Sequence, residues 1–162
     1  MAVLRTATLI GAVLLTGLSA GLFYSYACSV MPGLAKADDR VFVETMQRVN
    51  TAILNGWFML SFLGALLLIA AAGLLQWRGG DRTVLLWIAA AAVLYLAMLV
   101  ITGAVNVPLN DKLAAAGDPR TLADPAAVRA AFEDTWVRWN LVRAVTSTAA
   151  FGCLIGALAR AA

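Results

Sequence analysis

Four long apolar runs decide what this chain can become: about Ala7 to Val30, Ala52 to Leu75, Val84 to Val105 and Leu141 to Leu158. Each approaches or exceeds the ~20 residues that a helix needs to cross ~30 Å of hydrocarbon. In lipid a helix satisfies its own backbone, whereas irregular chain does not. With 162 residues, 62% of them hydrophobic and 13% charged, the sequence reads as one all-α membrane domain over 1–162. The expected fold is an integral membrane four-helix bundle with short extramembrane helices in loops one and three.

Charge position gives an orientation. Arg5, Arg78, Arg82 and Arg160 fall at the N-terminus, the short second loop and the C-terminus, where Asp81 is the one acid. Short basic segments favour the cytoplasmic side, so both termini are expected there. The raw count of Lys and Arg points the other way, because the remaining eight lie in or beside the two longer loops, balanced by eight acids. A cleaved secretory signal fits poorly, since the apolar run continues past Ser19-Ala20.

Histidine is absent and only Cys28 and Cys153 are present. Cys28 falls near the end of its span and Cys153 deep in the last, so a disulfide is not expected. The basic residues are scattered rather than striped, which argues against nucleic acid as a partner. Two small-residue stripes, Gly17-x-x-x-Gly21 and Gly152-x-x-x-Gly156, allow close helix approach, either within the bundle or in a homo-oligomer.

Polar residues gather at the end of the bundle that carries loops one and three. At ~100° per residue, Trp136, Asn140, Arg143 and Ser147 share one helical stripe, with Trp139 beside it. An arginine well inside a span costs at least ~2.5 kcal/mol unless it faces protein, water or a partner, so Arg143 either snorkels or serves a site. Before the second span, Glu44, Gln47 and Thr51 share a face with Asn50 at its flank. These belong to a helix expected to start at Asp38 or Asp39 and to continue into the span without a break.

Tyr95, Thr102 and Asn106 align on the third span, which Pro108 is expected to end. Met31-Pro32-Gly33 is expected to end the first. Tyr24 and Tyr26 at the far end of that span suit the interface, and Tyr24, which shares the small-residue face, is also a cavity candidate. Asp124-Pro125 reads as a helix start leading without interruption into the fourth span. On that helix Arg129 with Glu133, and Asp134 with Arg138, are expected to form surface pairs.

Gln47 and Asn50, the turn Asn106-Val-Pro-Leu-Asn110, and Trp136-x-x-Trp139-Asn140-x-x-Arg143 together resemble the anthrone oxygenase-like family of small membrane proteins. The likeness spans nearly the whole chain, and the Asn-Val-Pro-Leu-Asn turn followed by Trp-Asn-x-x-Arg is its most specific part. The resemblance implies a bacterial inner-membrane protein whose fungal counterparts are implicated in oxidising polyketide anthrones to anthraquinones with dioxygen. It singles out Gln47, Asn50, Asn106, Asn110, Trp136, Trp139, Asn140 and Arg143.

Without histidine or a cysteine cluster, haem, copper, zinc and histidine-carboxylate iron sites are not expected, and no cofactor is. An anthrone is acidic at the carbon opposite its carbonyl, and its carbanion can reduce dioxygen unaided. On this reading Arg143, Asn106 and Asn140 stabilise the oxyanion, Trp136 and Trp139 stack on the ring system, Gln47, Asn50 and Asn110 bind substrate, and Glu44 or Tyr95 is the base. A non-catalytic reading stands beside it, in which a membrane module holds a quinone, a lipid or a partner helix. The plainest alternative is that the tryptophans form an interfacial belt, Arg143 pairs with an acid and the asparagines close helix ends.

Overall fold

The computed structural model describes residues 1–161, and among them every regular element is helical. We number these α1 (Ala2–Leu34), α2 (Asp39–Ala52), α3 (Gly56–Trp77), α4 (Arg82–Ala115), α5 (Pro125–Ala130) and α6 (Glu133–Ala161). Among the described residues, four helical stretches are long and apolar enough to cross a membrane: α1, α3, α4, and the run from α5 through α6. They close into a ring in which α1 packs on α3 and α6, and α4 packs on α3 and α6. Leucines such as Leu14, Leu18, Leu67 and Leu86 point outward, as a lipid-facing surface requires.

The core has two tiers. Within the spans, Leu9, Ala12, Phe23, Ile69, Ala91, Tyr95 and Leu154 pack together. Beyond one end, Met31, Phe42, Val43, Met46, Leu113, Phe132 and Trp136 form a second cluster that seals α2 against the ends of α1, α4 and α6. Loop one and loop three are thereby one folded cap, because α2 carries an amphipathic face that must be covered.

The first helix ends at Leu34, one residue past Met31-Pro32-Gly33, with Pro32 inside its last turn, whereas Pro108 does not end α4, which continues to Ala115. The ladder widens to a π turn over Tyr26–Val30 in α1 and over Thr102–Asn106 in α4, and both helices run on through Pro32 and Pro108. In each, the residue before proline donates five back, Met31 to the Tyr26 carbonyl and Val107 to the Thr102 carbonyl. A proline clashes with the carbonyl four residues earlier and offers no N–H. One extra residue in the preceding turn relieves both faults, and such turns recur at functional sites.

Two other boundaries differ from expectation. The chain leaves helical form at Ile53–Asn55 rather than running unbroken from α2 into the second span. Asn55 starts α3, its side chain accepting the Phe58 N–H at 3.1 Å, and Asn is among the best N-caps. Asp124 caps α5 by accepting the Ala127 N–H at 2.9 Å, but Ala131 and Phe132 interrupt the helix before α6. Asp134 and Arg138 form no ion pair among the described residues, while Arg129 and Glu133 do.

At the opposite end, Arg5 donates to the Leu75 carbonyl at 3.0 Å and to the Gly79 carbonyl at 3.0 Å. A guanidinium there satisfies carbonyls that the end of α3 leaves without partners. Asp81 caps α4 through the Thr83 N–H at 2.7 Å, which holds its carboxyl below the usual range, and Arg160 lies 3.6 Å away.

The glycine stripes divide between inward and outward use. A Cβ on Gly17 would lie 2.9 Å from the Phe151 ring and one on Gly156 would lie 3.3 Å from Trp87, whereas Gly21 and Gly152 face open space. Gly17→Val is therefore expected to destabilise the bundle by about 1–3 kcal/mol through overpacking. Gly21→Val should be nearly neutral. Thermal unfolding of both variants in detergent checks the pair; equal midpoints would mean that α1 and α6 do not pack as described.

Candidate functional site

Below the cap lies a cavity of about 250 Å³. Its floor is made by Phe23, Trp136, Asn140 and Arg143, its sides by Gln47, Asn50, Phe58 and Thr102, and its rim by Leu54, Val107 and Asp111. Tyr26 and Thr102, the first residues of the two π turns, both line it. On α4, Val107, Asn110, Asp111 and Ala114 line one side at spacings of three and four, the stripe that a continuing helix presents.

Arg143 is 6% exposed, yet no carboxylate pairs with it among the described residues. One Nη donates to Asn140 Oδ1 at 3.0 Å, and the Nε has no partner. The guanidinium lies over two rings, Phe23 at 4.6 Å and Trp136 at 5.2 Å from its carbon. Ring faces attract a cation, though they supply only part of what an acid would. Asn140 is itself held, its Nδ2 donating to the Phe23 carbonyl at 3.2 Å, beside the point where α1 widens into its π turn. The result is a cation fixed in direction and short of an anion.

Trp136 is pinned from several sides. Its Nε1 donates to Asn110 Oδ1 at 2.8 Å, its ring stacks on Phe132 with centroids 5.9 Å apart, and Tyr26 leans on it at 5.8 Å. Gln47 ties α2 across the cavity to the end of α4, donating to the Leu113 carbonyl at 2.8 Å and the Gly117 carbonyl at 3.1 Å. These bonds settle the wall before any ligand arrives.

Six of the ten sequence candidates line the cavity: Gln47, Asn50, Asn110, Trp136, Asn140 and Arg143. The other four are elsewhere. Asn106 is fully buried behind the wall, donating to the Trp136 carbonyl at 3.3 Å. Tyr95 sits deep between the spans, its hydroxyl donating to the Phe62 carbonyl at 2.8 Å and contacting the Ser19 hydroxyl at 3.3 Å. Glu44 turns to Arg48 at 2.6 Å, outside the cavity. Trp139, half-buried, does not line it either. Tyr24 is 61% exposed and Tyr26 takes the cavity position instead.

Sequence spacing passed over Phe23, Tyr26 and Asp111. The signal for the first two was present: Leu9, Ala12, Thr16, Ser19 and Phe23 form the buried stripe of α1, and Tyr26 continues it at helical spacing. Asp111 required α4 to pass its proline.

No curated protein and no solved structure matches the chain. The sequence model for anthrone oxygenase matches residues 57–153, which include Thr102, Asn110, Asp111, Trp136, Asn140 and Arg143 but not the walls from α1 and α2. That match takes in well over half of the chain and all of the cavity wall that α4 and α6 supply, so the protein belongs to the anthrone oxygenase family.

Proposed function

We propose that the cavity binds a flat, hydrophobic aromatic compound of the anthrone or polyketide type and promotes its oxidation by dioxygen without a metal. The observation that carries this reading is Arg143, a buried guanidinium on the cavity wall with no ion pair to a carboxylate among the described residues. A substrate that becomes an enolate supplies the missing negative charge, and a donor waiting for charge that develops in the reaction accelerates it. Phe58 offers a face for the ring system, Trp136 with Phe132 and Arg143 on its ring makes the floor beneath it, and Asn140 orients the guanidinium.

The steps balance without another oxidant. Loss of a proton from the methylene carbon gives the enolate, which transfers one electron to dioxygen. Recombination of the radical with superoxide and a proton forms a carbon–oxygen bond as a hydroperoxide. Loss of water then leaves the new carbonyl, so one dioxygen is consumed and one water released per quinone. Among the described residues no three of the Asp, Glu and Cys side chains come together, and the sequence has no histidine, a donor set that favours this metal-free route.

Purified protein in detergent, given anthrone under air, is expected to consume oxygen and yield anthraquinone at a rate that prolonged chelation leaves unchanged. Loss of the activity on chelation, with recovery by one metal, would overturn the metal-free route. A second reading is a non-catalytic site for a quinone or lipid, favoured by the exposed Leu54 and Val107 on the cavity rim. It predicts binding of anthrone with no oxygen uptake above the blank.

A further inference from the structure

The reaction needs a proton acceptor on the cavity wall, and neither Glu44 nor Tyr95 is there. We infer that Asp111 is the general base for the carbon acid, an assignment that rests on the oxidative reading of the cavity. Among the residues that line the cavity, Asp111 is the one carboxylate.

Its position suits the chemistry for three reasons. First, the two charges reach the cavity from different helices: Arg143 of α6 lies over the Trp136 ring at 5.2 Å, while Asp111 follows Asn110 of α4, which takes the ring N–H. In an anthrone the carbonyl and the acidic methylene lie on opposite sides of the central ring. A substrate spanning the cavity between α6 and α4 thus presents its oxygen to the cation and its methylene to the acid. Second, the helical stripe Val107, Asn110, Asp111, Ala114 turns this carboxylate toward the cavity, and the bonds of Gln47 to Leu113 and Gly117 fix that part of α4. Third, Asp111 is exposed at the rim, so a proton taken from carbon passes on to water and the base is regenerated. Tyr26 is the other oxygen acid on the wall, but its ring lies against Trp136, which Arg143 also covers.

The test separates proton removal from oxidation. Anthrone is incubated with the protein in deuterated buffer without oxygen, and exchange of its methylene hydrogens is followed by mass spectrometry against a protein-free blank. The parent protein is expected to speed exchange. Asp111→Asn should lose ~10²–10⁴-fold of that acceleration while still binding anthrone, as read by quenching of tryptophan fluorescence. Formate should restore part of the exchange to Asp111→Ala. The rim position makes loss of folding unexpected, and an unchanged thermal midpoint verifies it. Exchange by Asp111→Asn at the parent rate overturns the assignment while leaving the oxidative reading in place. If the parent binds anthrone but neither exchanges nor oxidises it, the oxidative reading fails and the base assignment fails with it.

Discussion

Arg143→Lys is expected to reduce oxidation of anthrone by roughly 10²-fold, and Arg143→Gln by about 10³-fold, the range found when a donor to a developing oxyanion is removed. Lysine retains the charge but loses the plane that lies between Phe23 and Trp136 and the fork that meets Asn140 while leaving Nε free. Stability should respond in the opposite sense. Burying a cation without an acid is unfavourable, and removing it orphans no carboxylate, so Arg143→Gln should melt no lower than the parent. Sites that hold charge for a reaction commonly weaken the fold that carries them. Steady-state oxygen uptake and thermal unfolding, measured on the same preparations, check both halves. A variant that melts well below the parent yet turns over normally would make Arg143 a structural residue and remove the basis for the oxyanion site.

The stripe of Trp136, Asn140 and Arg143 was legible because α6 is a regular helix there, and regular helices convert spacing directly into facing. The same logic misread α1. It gave the glycines to the bundle or to a second copy, and the structure divides them: Gly17 meets Phe151 and Gly21 faces open space, while the buried stripe is one of alanine and hydroxyl residues, Ala12, Thr16 and Ser19, in a different phase. Both kinds of small residue permit close approach, so residue size alone does not choose between the two phases. Tyr26 rather than Tyr24 lines the cavity for that reason.

The prolines hid more. Pro32 and Pro108 carry the ordinary signal for a helix end, and the means by which each helix continues, a widened turn just upstream, has no residue signature of its own. What lay beyond Pro108 was read as a turn, so Asp111 was not placed on a cavity-facing stripe. Asn106 failed in another way. It is fully buried, bonded to the Trp136 carbonyl of α6 and off the cavity wall, and a packing partner from another helix is invisible to one-dimensional spacing.

Ion pairs show the same limit with the largest expected effect on stability. Glu44 with Arg48 and Arg129 with Glu133 have the same spacing, and both are short, at 2.6 Å and 2.5 Å. The Arg48 side chain is 77% exposed, so its pair is worth only tenths of a kcal/mol. The Arg129 side chain is 14% exposed and joins distant segments: it donates to Asp39 at 3.0 Å, to the Ala37 carbonyl at 2.9 Å and to the Ala35 carbonyl at 3.0 Å, and lies 4.6 Å over the Phe42 ring. Phe42 packs on Phe132, and Phe132 stacks on Trp136, so this arginine supports the cavity floor through two rings. Arg129→Ala removes every one of these bonds and leaves Glu133, whose side chain is 20% exposed, without its cation. The expected loss is about 3 kcal/mol, against less than about 0.5 kcal/mol for Arg48→Ala. Thermal unfolding of the two variants in one detergent gives the comparison, and anthrone binding by Arg129→Ala should weaken as Trp136 loses its support. Equal midpoints for the two variants would mean that loop one is not fastened to α5, and that the cap above the cavity is held by its apolar cluster alone.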